Sequence, residues 1–437
     1  MSARETALTV LMAVRQKDAW SNGVLKEYIA RDGLDRRDAA LATRLVYGVL
    51  QNRNKLDFYL AQLLSGKVKD LHPGVHDILH LGLYQILEMD KIPASAAVNE
   101  SVVMAKKYCK KQHYAPGLVN AVLRRADQSK DVLVQPKSYV DQYSHPQKLV
   151  DLLKENVGKQ RLEAMLKANN AMPATTVQVN TLKTDAASLT ARLREEGVEV
   201  QPHGWMENCL VLSGTGNLEK LPSFREGLYY VQDPAAKLSV LCARLTPGSR
   251  ILDCCAAPGG KSFAAAMEMD GRGQITSCDV HEHKTGLIEN GAKRLGIGII
   301  TARRQDATEF VPKWENTMDA VICDVPCSGY GIIRKKPDIR DKDPDTMLEL
   351  PALQLQILKN QARYVKPGGV LLYSTCTLLK RENEDVVEAF LKEHEEFCLE
   401  ELMLPDNFPG NTNGMLTLVP GEYDTDGFFI ARLRRKA

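Results

Sequence analysis

The sequence predicts a multidomain protein: an all-helical N-terminal domain, a small α+β domain, and an α/β domain with a mostly parallel, doubly wound sheet. Three observations lead to this prediction. The chain has 437 residues, which is too many for one ordinary hydrophobic core. Apolar residues recur at helical spacing up to about residue 140. From residue 233 onward, apolar strands alternate with helices, which is typical of a parallel sheet covered on both faces.

The first domain, residues 1–140, carries the apolar period of amphipathic helices. Near its start, Ala7, Leu8, Leu11 and Val14 fall on one helical face. Pro73 follows a polar stretch and is expected to open a further helix, because the first turn of a helix does not need its N–H. We therefore predict helices throughout this domain.

The second domain, residues 141–232, is predicted to mix strands with one helix. Asp185 can cap the helix AASLTARLREE, and Gly197 can end it. The strands are ATTVQVNTL, VEVQPH and CLVLS.

The third domain, residues 233–437, alternates strands with helices such as KSFAAAMEM and LPALQLQILKNQARYV. Its chain ends in two more strands, MLTLVP and DGFFIARLRR. The central strands are SRILDCC, GQITSCDV, GIGIITARRQ, DAVICDV and GVLLYSTC. Each of the last two central strands is followed by a cysteine among small polar residues.

Composition argues against membrane and secreted proteins. The chain is 44% hydrophobic and 26% charged, and no apolar run reaches membrane-spanning length. The first ten residues lack the apolar core of a secretory signal, so we expect a cytoplasmic protein. A net charge of +2 is nearly neutral, so nucleic-acid binding depends on whether positive charge is clustered.

The ten cysteines predict neither disulfides nor a metal site. A cytoplasmic chain keeps its thiols reduced, and no C-x2-C pair is present. We expect four cysteines in strand-like segments to be small core residues, namely Cys254, Cys255, Cys278 and Cys323.

A glycine-rich turn, DCCAAPGGKS, follows the first strand of the third domain. In an open parallel sheet, ligands bind at the carboxyl ends of the strands, and small residues let the backbone approach them. A nucleoside-triphosphate loop would need a glycine where Cys255 stands, and the dinucleotide pattern G-x-G-x-x-G is absent. The turn therefore favours a nucleoside ligand without a pyrophosphate.

Two acidic residues follow the next two strands. Asp279 can accept hydrogen bonds from a ribose diol, and Asp306 from an adenine amino group. The alternative is that both merely cap the following helices. With the turn, they predict a site for S-adenosylmethionine lined by Cys255, Ala256, Ala257, Pro258, Gly259, Gly260, Lys261, Asp279, Asp306 and Asp324.

Cys327 and Cys376 follow strands that end at the same edge as this turn. Carbon 5 of a pyrimidine is a poor nucleophile, but addition of a thiolate to carbon 6 makes it able to accept a methyl group. Asp324 can hydrogen-bond the N3 and N4 edge of cytosine, or it can cap a helix. Taken singly, each thiol is more typical of a buried structural cysteine, and the pattern alone does not assign their roles.

The motifs CAAPGGK, DVPCSG and YSTCT resemble those of RNA cytosine-C5 methyltransferases. The resemblance implies that Cys376 is the nucleophile and that Cys327 assists product release. DNA cytosine methyltransferases use the Pro-Cys thiol as nucleophile, which makes Cys327 the alternative candidate for the nucleophile. Val325 replaces the usual alanine of the family motif. Phe428 and Phe429 resemble the closing strand of the family, and RKKPDIR, residues 334–340, resembles its substrate-facing segment, with Arg334 as an RNA contact.

Residues 101–125 contain six basic residues, no acid, and the interleaved Tyr108 and Tyr114. Such a stripe can bind phosphates and stack bases, although a solvated helix face has the same composition. The stripe consists of Lys106, Lys107, Lys110, Lys111, Arg124 and Arg125.

The segments LVYGVLQNRNKLDFYL, KIPASAAVNESVVMAKKY and GLVNAVLRR resemble the NusB-like RNA-binding fold. Joined to a Rossmann-like methyltransferase domain, they resemble the RsmB, Sun or Fmu family of bacterial 16S ribosomal RNA methyltransferases. The resemblance implies a monomer that acts on 16S ribosomal RNA, free or in an assembling small subunit, and a middle domain that faces RNA. Two alternatives are a transfer-RNA or DNA methyltransferase and a non-catalytic RNA-binding assembly or antitermination factor. The intact cysteine pair argues against the latter.

Overall fold

The computed structural model describes residues 1–17, 20–409 and 412–437, without the side chain of Lys17. The chain forms two compact units, which are described separately. The first contains Met1–Lys154, Leu166–Ala171 and Ile333–Lys342. The second contains Glu155–Met165, Met172–Ile332 and Asp343–Ala437. No helix of the described residues is long and apolar enough to cross a membrane.

The first unit is helical, as the sequence predicts. Its helices are α1 Ala3–Lys17, α2 Ser21–Arg31, α3 Arg36–Gln51, α4 Arg53–Leu63, α5 Pro73–Glu88, α6 Ala94–Tyr108, α7 Ala115–Ser129 and α8 Tyr139–Tyr143. Two further helices, α9 Gln147–Val157 and α10 Lys159–Asn169, each contain a boundary between the units. Helices α9 and α10 are absent from the sequence-based prediction, in which the α+β domain begins at residue 141.

Helix α5 is the central helix of the first unit. Pro73 occupies its first turn, as expected, and apolar residues on several of its sides are fully buried. Two glycines allow close helix packing there. A Cβ on Gly82 would lie 2.4 Å from Leu123, and one on Gly48 in α3 would lie 2.0 Å from the Tyr84 ring. Larger residues at these positions would force the helices apart.

A ten-residue excursion of the chain, Ile333–Lys342, also belongs to the first unit. It contains the short 3₁₀ helix Pro337–Asp341. Arg340 of this helix is 2% exposed and donates hydrogen bonds to the carbonyl oxygens of Gln51 (2.9 Å) and Ser144 (3.1 Å). It also donates to Asn170 Oδ1 at 3.0 Å. These bonds satisfy a charge that would otherwise be costly to bury.

The second unit begins with a four-stranded antiparallel sheet of order β2-β3-β1-β4. Asp185 caps α11 by accepting from the N–H groups of Ala187 and Ser188, and Gly197 follows its end at φ +76°, as predicted. The elements are β1 Thr175–Val179, α11 Ala186–Glu195, β2 Glu199–Pro202, β3 Cys209–Ser213, α12 Pro222–Arg225 and β4 Tyr229–Val231.

The eight-stranded sheet of the second unit has the order β10-β12-β9-β8-β5-β6-β7, with β11 paired to β12. Strands β5 to β9 pair in parallel, and β12 pairs antiparallel with β9, β10 and β11. The strands are β5 Arg250–Asp253, β6 Gln274–Asp279, β7 Ile300–Arg304, β8 Met318–Asp324, β9 Val365–Thr375, β10 Phe397–Leu399, β11 Met415–Leu418 and β12 Phe428–Arg435.

Helices cover both faces of this sheet, which confirms the doubly wound prediction. Consecutive residues of a strand point to opposite faces, so Ile251 and Leu252 of β5 join two separate hydrophobic clusters. The helices of the first cluster are α13 Pro234–Ala243, α14 Gly260–Glu268 and α15 Glu282–Leu295, and those of the second are α16 Leu350–Ala362 and α17 Glu384–Glu393. The chain runs from β5 outward to β7 and returns to β8 on the other side of β5. A topological switch point therefore lies between β5 and β8.

Candidate active site

The glycine-rich turn joins the end of β5 to the start of α14 at the switch point. Gly259 has φ +110°, and a Cβ there would lie 2.5 Å from the Phe263 ring. Only glycine fits this position. The peptide bond between Ala257 and Pro258 is cis. The turn therefore brings bare backbone to the carboxyl edge of the sheet.

A cavity of about 160 Å³ opens beside this turn. Its walls come from the turn, from the ends of β5 and β8, and from the start of α13. The lining includes seven of the ten residues predicted to bind a cofactor, namely Cys255, Ala256, Ala257, Pro258, Gly260, Lys261 and Asp324. Cys254, Cys278 and Cys323 are buried as predicted, whereas Cys255 is only partly buried and faces this cavity.

Asp253, at the end of β5, is a buried carboxylate on the cavity wall that the sequence analysis did not assign to the site. Its Oδ2 accepts a 2.7 Å hydrogen bond from Ser262, whose hydroxyl also contacts that of Ser277 at 2.7 Å. Its Oδ1 has no hydrogen-bond partner in the described residues. Burial raises the pKa of Asp253 to about 7, against the opposing effect of the Ser262 hydrogen bond. An unpartnered carboxylate oxygen facing a cavity suits a ligand with a hydrogen-bond donor or positive charge.

Lys261 and Asp324 form an ion pair between the turn and the end of β8. Lys261 Nζ lies 2.7 Å from Asp324 Oδ2, and its side chain is 9% exposed. The second oxygen, Oδ1, accepts a 2.9 Å hydrogen bond from the Ser374 hydroxyl on β9. Lys261 Nζ also lies 4.9 Å from the centre of the Phe428 ring. Asp324 is thus held at both oxygens, and its side chain is still 30% exposed.

Cys327 and Cys376 meet because their strands are neighbours. Asp324 on β8 pairs with Ser374 on β9, so both chains leave the sheet side by side. The two sulfurs lie 3.2 Å apart as free thiols, and both residues are partly exposed. The hydrogen bond with Cys376 and burial raise the pKa of Cys327 well above its ordinary value. Cys327 therefore stays protonated at neutral pH and can donate to the Cys376 sulfur.

A buried polar network holds the two cysteine loops together. The hydroxyls of Ser328 and Thr377 lie 2.7 Å apart. Glu382, which is fully buried, accepts through Oε2 from the Ser328 N–H at 2.9 Å and from Gln354 Nε2 at 3.0 Å. The same Gln354 amide donates to the Pro326 carbonyl at 2.9 Å. Neither Gln354 nor Glu382 is predicted from the sequence, because neither a glutamine in a helical segment nor one of the three glutamates of RENEDVVE signals burial.

Two glycines fix the path of the chain after Cys376. The Gly331 N–H donates to the Cys376 carbonyl at 2.9 Å, and the Gly427 N–H donates to the Gly331 carbonyl at 2.8 Å. A Cβ on Gly331 would lie 2.1 Å from the Gly427 oxygen. Three backbone segments therefore meet too closely for any side chain.

Asp279 is the last residue of β6 and Asp306 lies two residues after β7, at the same sheet edge, but neither lines the cavity. Asp279 Oδ1 accepts from the His281 N–H at 3.0 Å, and Asp306 Oδ1 accepts from the N–H and hydroxyl of Thr308 at 2.8 and 2.7 Å. Both residues thus make hydrogen bonds within their own turns, but neither caps a helix in the described part of the chain, since the N-cap of α15 is His281 and no helix begins directly after Asp306. Their position at the carboxyl ends of two strands also fits a ligand role.

The six basic residues of the predicted RNA stripe are all exposed on α6, on α7 and in the turn between them. Three of them have local partners. Lys107 pairs with Glu5 at 2.7 Å, Arg125 donates to the Leu63 carbonyl at 2.8 Å, and Arg124 donates to Asn120 at 3.0 Å. Tyr114, beside the stripe, is 53% exposed. The stripe therefore presents free ammonium groups together with one exposed aromatic ring.

Arg334 is the second residue of the Ile333–Lys342 excursion and is half-buried within the first unit. Its carbonyl lies 3.5 Å from Gln51 Nε2. The resemblance implied a substrate-facing segment, but Arg340 of the same motif is buried among backbone carbonyls. Arg340 therefore stabilises the first unit rather than facing a substrate.

Three family models match consecutive parts of the chain. Residues 1–128 match the NusB family, and residues 145–219 match a domain described as Methyltr_RsmF/B-like, ferredoxin-like. Residues 240–434 match the model described as 16S rRNA methyltransferase RsmB/F.

A curated relative and two solved structures are similar to this chain. "Probable ribosomal RNA small subunit methyltransferase B" of Bacillus subtilis is 36% identical over 100% of this chain and 99% of its own. The structure described as "Crystal Structure of PH0851" has a TM-score of 0.81 and 27% identity, covering 99% of both chains. NSun6 from Pyrococcus horikoshii, solved with SFG, has a TM-score of 0.60 and 21% identity, covering 67% of this chain and 98% of its own, and supports the fold alone.

Proposed function

Because the chain belongs to the RsmB/F family of 16S rRNA methyltransferases, we propose that it methylates carbon 5 of one cytosine in 16S ribosomal RNA. S-adenosylmethionine is the methyl donor. The observation that supports cytosine-C5 chemistry is the pair of free thiols 3.2 Å apart, beside the Lys261–Asp324 ion pair and the cavity at the glycine-rich turn.

Cys376 acts as the nucleophile. Its thiolate forms a bond to carbon 6 of the cytosine, and the electrons of the ring double bond make carbon 5 nucleophilic. Carbon 5 takes up the methyl group, and a base then removes the proton from that carbon. The electrons of the broken C–H bond restore the double bond, the carbon–sulfur bond breaks, and Cys376 leaves as a thiolate.

Cys327 assists release of the product. Its raised pKa keeps the proton on its sulfur, so it donates a hydrogen bond to the Cys376 sulfur 3.2 Å away. That hydrogen bond stabilises the Cys376 thiolate when it leaves carbon 6. The resemblance of YSTCT and DVPCSG to the motifs of RNA cytosine-C5 methyltransferases supports this division of roles over the reverse one used by DNA enzymes.

Asp324 binds the cytosine. Lys261 and Ser374 hold its two oxygens, and the exposed part of the carboxylate accepts from the N4 and protonated N3 positions of the ring. A fixed negative charge at that edge favours protonation of N3, and the protonated ring takes up the electrons of the thiolate because addition then gives a neutral enamine.

The residues around the cavity suit S-adenosylmethionine, which supplies an activated methyl group when bound. The turn residues Cys255 to Lys261, including Gly259, give close backbone approach. Asp253 offers an unpartnered carboxylate oxygen. We assign the ribose to Asp279 and the adenine to Asp306, because each follows a strand at the same sheet edge.

The basic stripe of the first unit binds the ribosomal RNA. Lys106, Lys110 and Lys111 are exposed, and they lie near the exposed Tyr114 ring. Ammonium groups bind phosphates, and an aromatic ring stacks with an unpaired base.

RNA containing 5-fluorocytosine tests the covalent chemistry. Fluorine blocks the final proton loss, so we expect the wild-type protein to form a stable adduct with this RNA and S-adenosylmethionine. Cys376→Ala should form none. Cys327→Ala should retain covalent RNA even with ordinary cytosine, because release is slowed. Cys398→Ala, which removes an exposed thiol elsewhere, is the matched control.

Two results would contradict the proposal. If Cys327→Ala abolishes the adduct while Cys376→Ala keeps it, the two roles are reversed. If the wild-type protein forms no adduct and neither cysteine substitution changes its methylation of RNA, the protein is not a cytosine-C5 methyltransferase of this type.

Bisulfite sequencing of a deletion strain tests the substrate. We expect one methylated cytosine to disappear from 16S ribosomal RNA, with transfer RNA unchanged. Loss of methylation from transfer RNA or DNA instead would assign the other substrate.

A further inference from the structure

Two histidines and an aspartate converge in the first unit, outside the site described above. His76 and His80 lie four residues apart and therefore on one face of α5. Their Nε2 atoms lie 2.6 and 2.8 Å from the same atom, Oδ1 of Asp57 on α4. The two rings are 4.1 Å apart, centre to centre. The three candidate ligand atoms all lie within 4.8 Å of one another.

These three groups form a ligand set suited to divalent transition metals. Imidazole nitrogen and carboxylate oxygen are common ligands of Zn²⁺ and related ions. With bonds of about 2.0–2.2 Å, ligand atoms of a tetrahedral site lie about 3.3 Å apart. The distances from Asp57 Oδ1 to the two nitrogens are shorter than this. Metal binding therefore requires the oxygen to move away from both nitrogens by about half an ångström. Rotation of the partly exposed Asp57 side chain supplies that movement without moving a helix.

One ligand of the cluster is buried, and the other two are partly exposed to solvent. The His80 side chain is 4% exposed, whereas those of His76 and Asp57 are 28% and 39% exposed. Neighbouring α5 residues Ile78 and Leu79 are fully buried, which fixes the helix that carries both rings. A metal ion can therefore enter from solvent and complete its coordination with water.

A hydrogen-bonded cluster without metal is the alternative. In it, both rings donate Nε2–H to Asp57, which satisfies the buried His80 ring. In a metal complex each neutral ring instead carries its proton on Nδ1, and Nε2 donates its lone pair to the ion. No net proton is lost in this change of tautomer. The two states use the same three residues, so only a metal-binding measurement separates them.

We propose that Asp57, His76 and His80 bind one divalent transition-metal ion, with Zn²⁺ as the natural candidate, and that the ion links α4 to α5. The site is independent of the methyl-transfer site. The ligands come from two helices, and the closest pair on different helices, Asp57 on α4 and His76 on α5, is 19 residues apart in the chain. Metal binding therefore stabilises the packing of the two helices rather than a local turn.

Cobalt titration of the full-length protein tests the site. The protein carries no histidine tag, and it carries Cys327→Ser and Cys376→Ser so that the thiol pair cannot bind the probe. We expect one Co²⁺ per chain, with visible absorption bands that Zn²⁺ displaces. His76→Gln should weaken binding by more than about tenfold, since it removes one of three protein ligands. His113→Gln, which changes an exposed histidine between α6 and α7, should bind as the parent does.

Thermal unfolding with and without Zn²⁺ provides a second readout. A metal that binds the native protein raises its unfolding temperature, and His76→Gln should lose this rise. Substitution of the buried His80 could prevent folding, so the partly exposed His76 is the deciding position. The proposal is overturned if the parent binds no Co²⁺ in molar excess, or if His76→Gln binds it equally well.

Discussion

The sulfur of Cys327 lies 3.2 Å from the sulfur of Cys376, although 49 residues separate them in the chain. Their hydrogen bond is the largest cause of the raised pKa of Cys327, and burial adds to it. The raised pKa favours the proton on Cys327, which fits its proposed role as a hydrogen-bond donor to the Cys376 sulfur.

Replacement of Cys376 should change the reactivity of its neighbour. In Cys376→Ala, Cys327 loses the hydrogen bond that raises its pKa and keeps only the effect of burial. We expect the pH profile of Cys327 alkylation by iodoacetamide to move to lower pH, as followed by mass spectrometry. The exposed Cys398 in the same sample should keep its profile. An unchanged Cys327 profile would show that the contact does not control its proton.

The ion pair between Lys261 and Asp324 should matter for cofactor binding. Lys261→Met leaves Asp324 with only the Ser374 hydrogen bond and removes a charge from the cavity wall. We expect the dissociation constant of S-adenosylmethionine to rise about tenfold, equivalent to about 1.4 kcal/mol, measured by calorimetry.

Lys366→Met is the matched control, because Lys366 pairs with Asp319 near the other end of β8. That pair is exposed, so its loss should cost less than about 1 kcal/mol of unfolding free energy and leave cofactor binding unchanged. Equal cofactor affinity in Lys261→Met and wild type would exclude this cavity as the cofactor site.

Glu382 should stabilise the catalytic loops through its two hydrogen bonds. Glu382→Ala leaves the buried Ser328 N–H and one proton of the Gln354 amide without their carboxylate partner. We expect a loss of about 2–4 kcal/mol of unfolding free energy in urea, and a lower kcat. Glu382→Gln keeps one carbonyl acceptor and should lose less than half as much. Equal losses in both variants would show that the charge, not the hydrogen bonds, is what stabilises the loops.

Asp253 should make the ligand-free protein less stable as the pH rises. Its pKa is about 7 in the folded protein and near 3.8 when unfolded, so the native state binds the extra proton between these values. This stabilisation is complete below about pH 4 and is lost as the pH rises through about 7.

Comparison with Asp253→Asn isolates this effect, because other titrating groups are the same in both proteins. Between about pH 4 and pH 7, the unfolding free energy of the wild type should fall by on the order of 4 kcal/mol relative to that of the variant. Urea unfolding at several pH values measures the difference. If the unfolding free energies of the two proteins change with pH in parallel, Asp253 is ionised over the whole pH range.

The exposed lysines of the stripe should account for part of the salt dependence of RNA binding. Replacing Lys106, Lys110 and Lys111 by alanine should reduce the slope of log K against log salt by about 2–3, because each phosphate contact contributes about 0.7–0.9. Filter binding to a 16S ribosomal RNA fragment at several salt concentrations measures this slope. The control variant Lys67→Ala/Lys69→Ala removes two positive charges elsewhere in the same unit. If the slope falls by the same amount per lysine in this control, the stripe is not a specific RNA-binding surface.

Local sequence signals predicted the scaffold of the site well. Apolar strands between helices identify a parallel sheet, and the carboxyl ends of its strands lie at one edge. That logic places Asp253, Asp324 and Cys376 at the same edge, as the structure has them. Asp185 and Gly197 bound a helix through their own hydrogen bonds and backbone angle, so their roles are visible in a few adjacent letters.

Long-range burial could not be predicted in the same way. Glu382 is buried because it meets Ser328 across 54 residues, and nothing within RENEDVVE distinguishes it from the exposed Asp385 and Glu388. Arg340 lies in a charged motif typical of a surface, yet its partners are backbone carbonyls about 200 to 290 residues away. Backbone acceptors leave no trace in a sequence, since every residue has one.

The Ile333–Lys342 excursion limits how this polypeptide can be divided for expression. A truncated clone that stops after residue 154 would lack Leu166–Ala171 and Ile333–Lys342, which complete the first unit. The second of these segments carries the guanidinium that donates hydrogen bonds to the Gln51 and Ser144 carbonyls. Those oxygens would then be left to solvent or unsatisfied. The N-terminal helices are thus not a detachable module, despite being encoded almost contiguously.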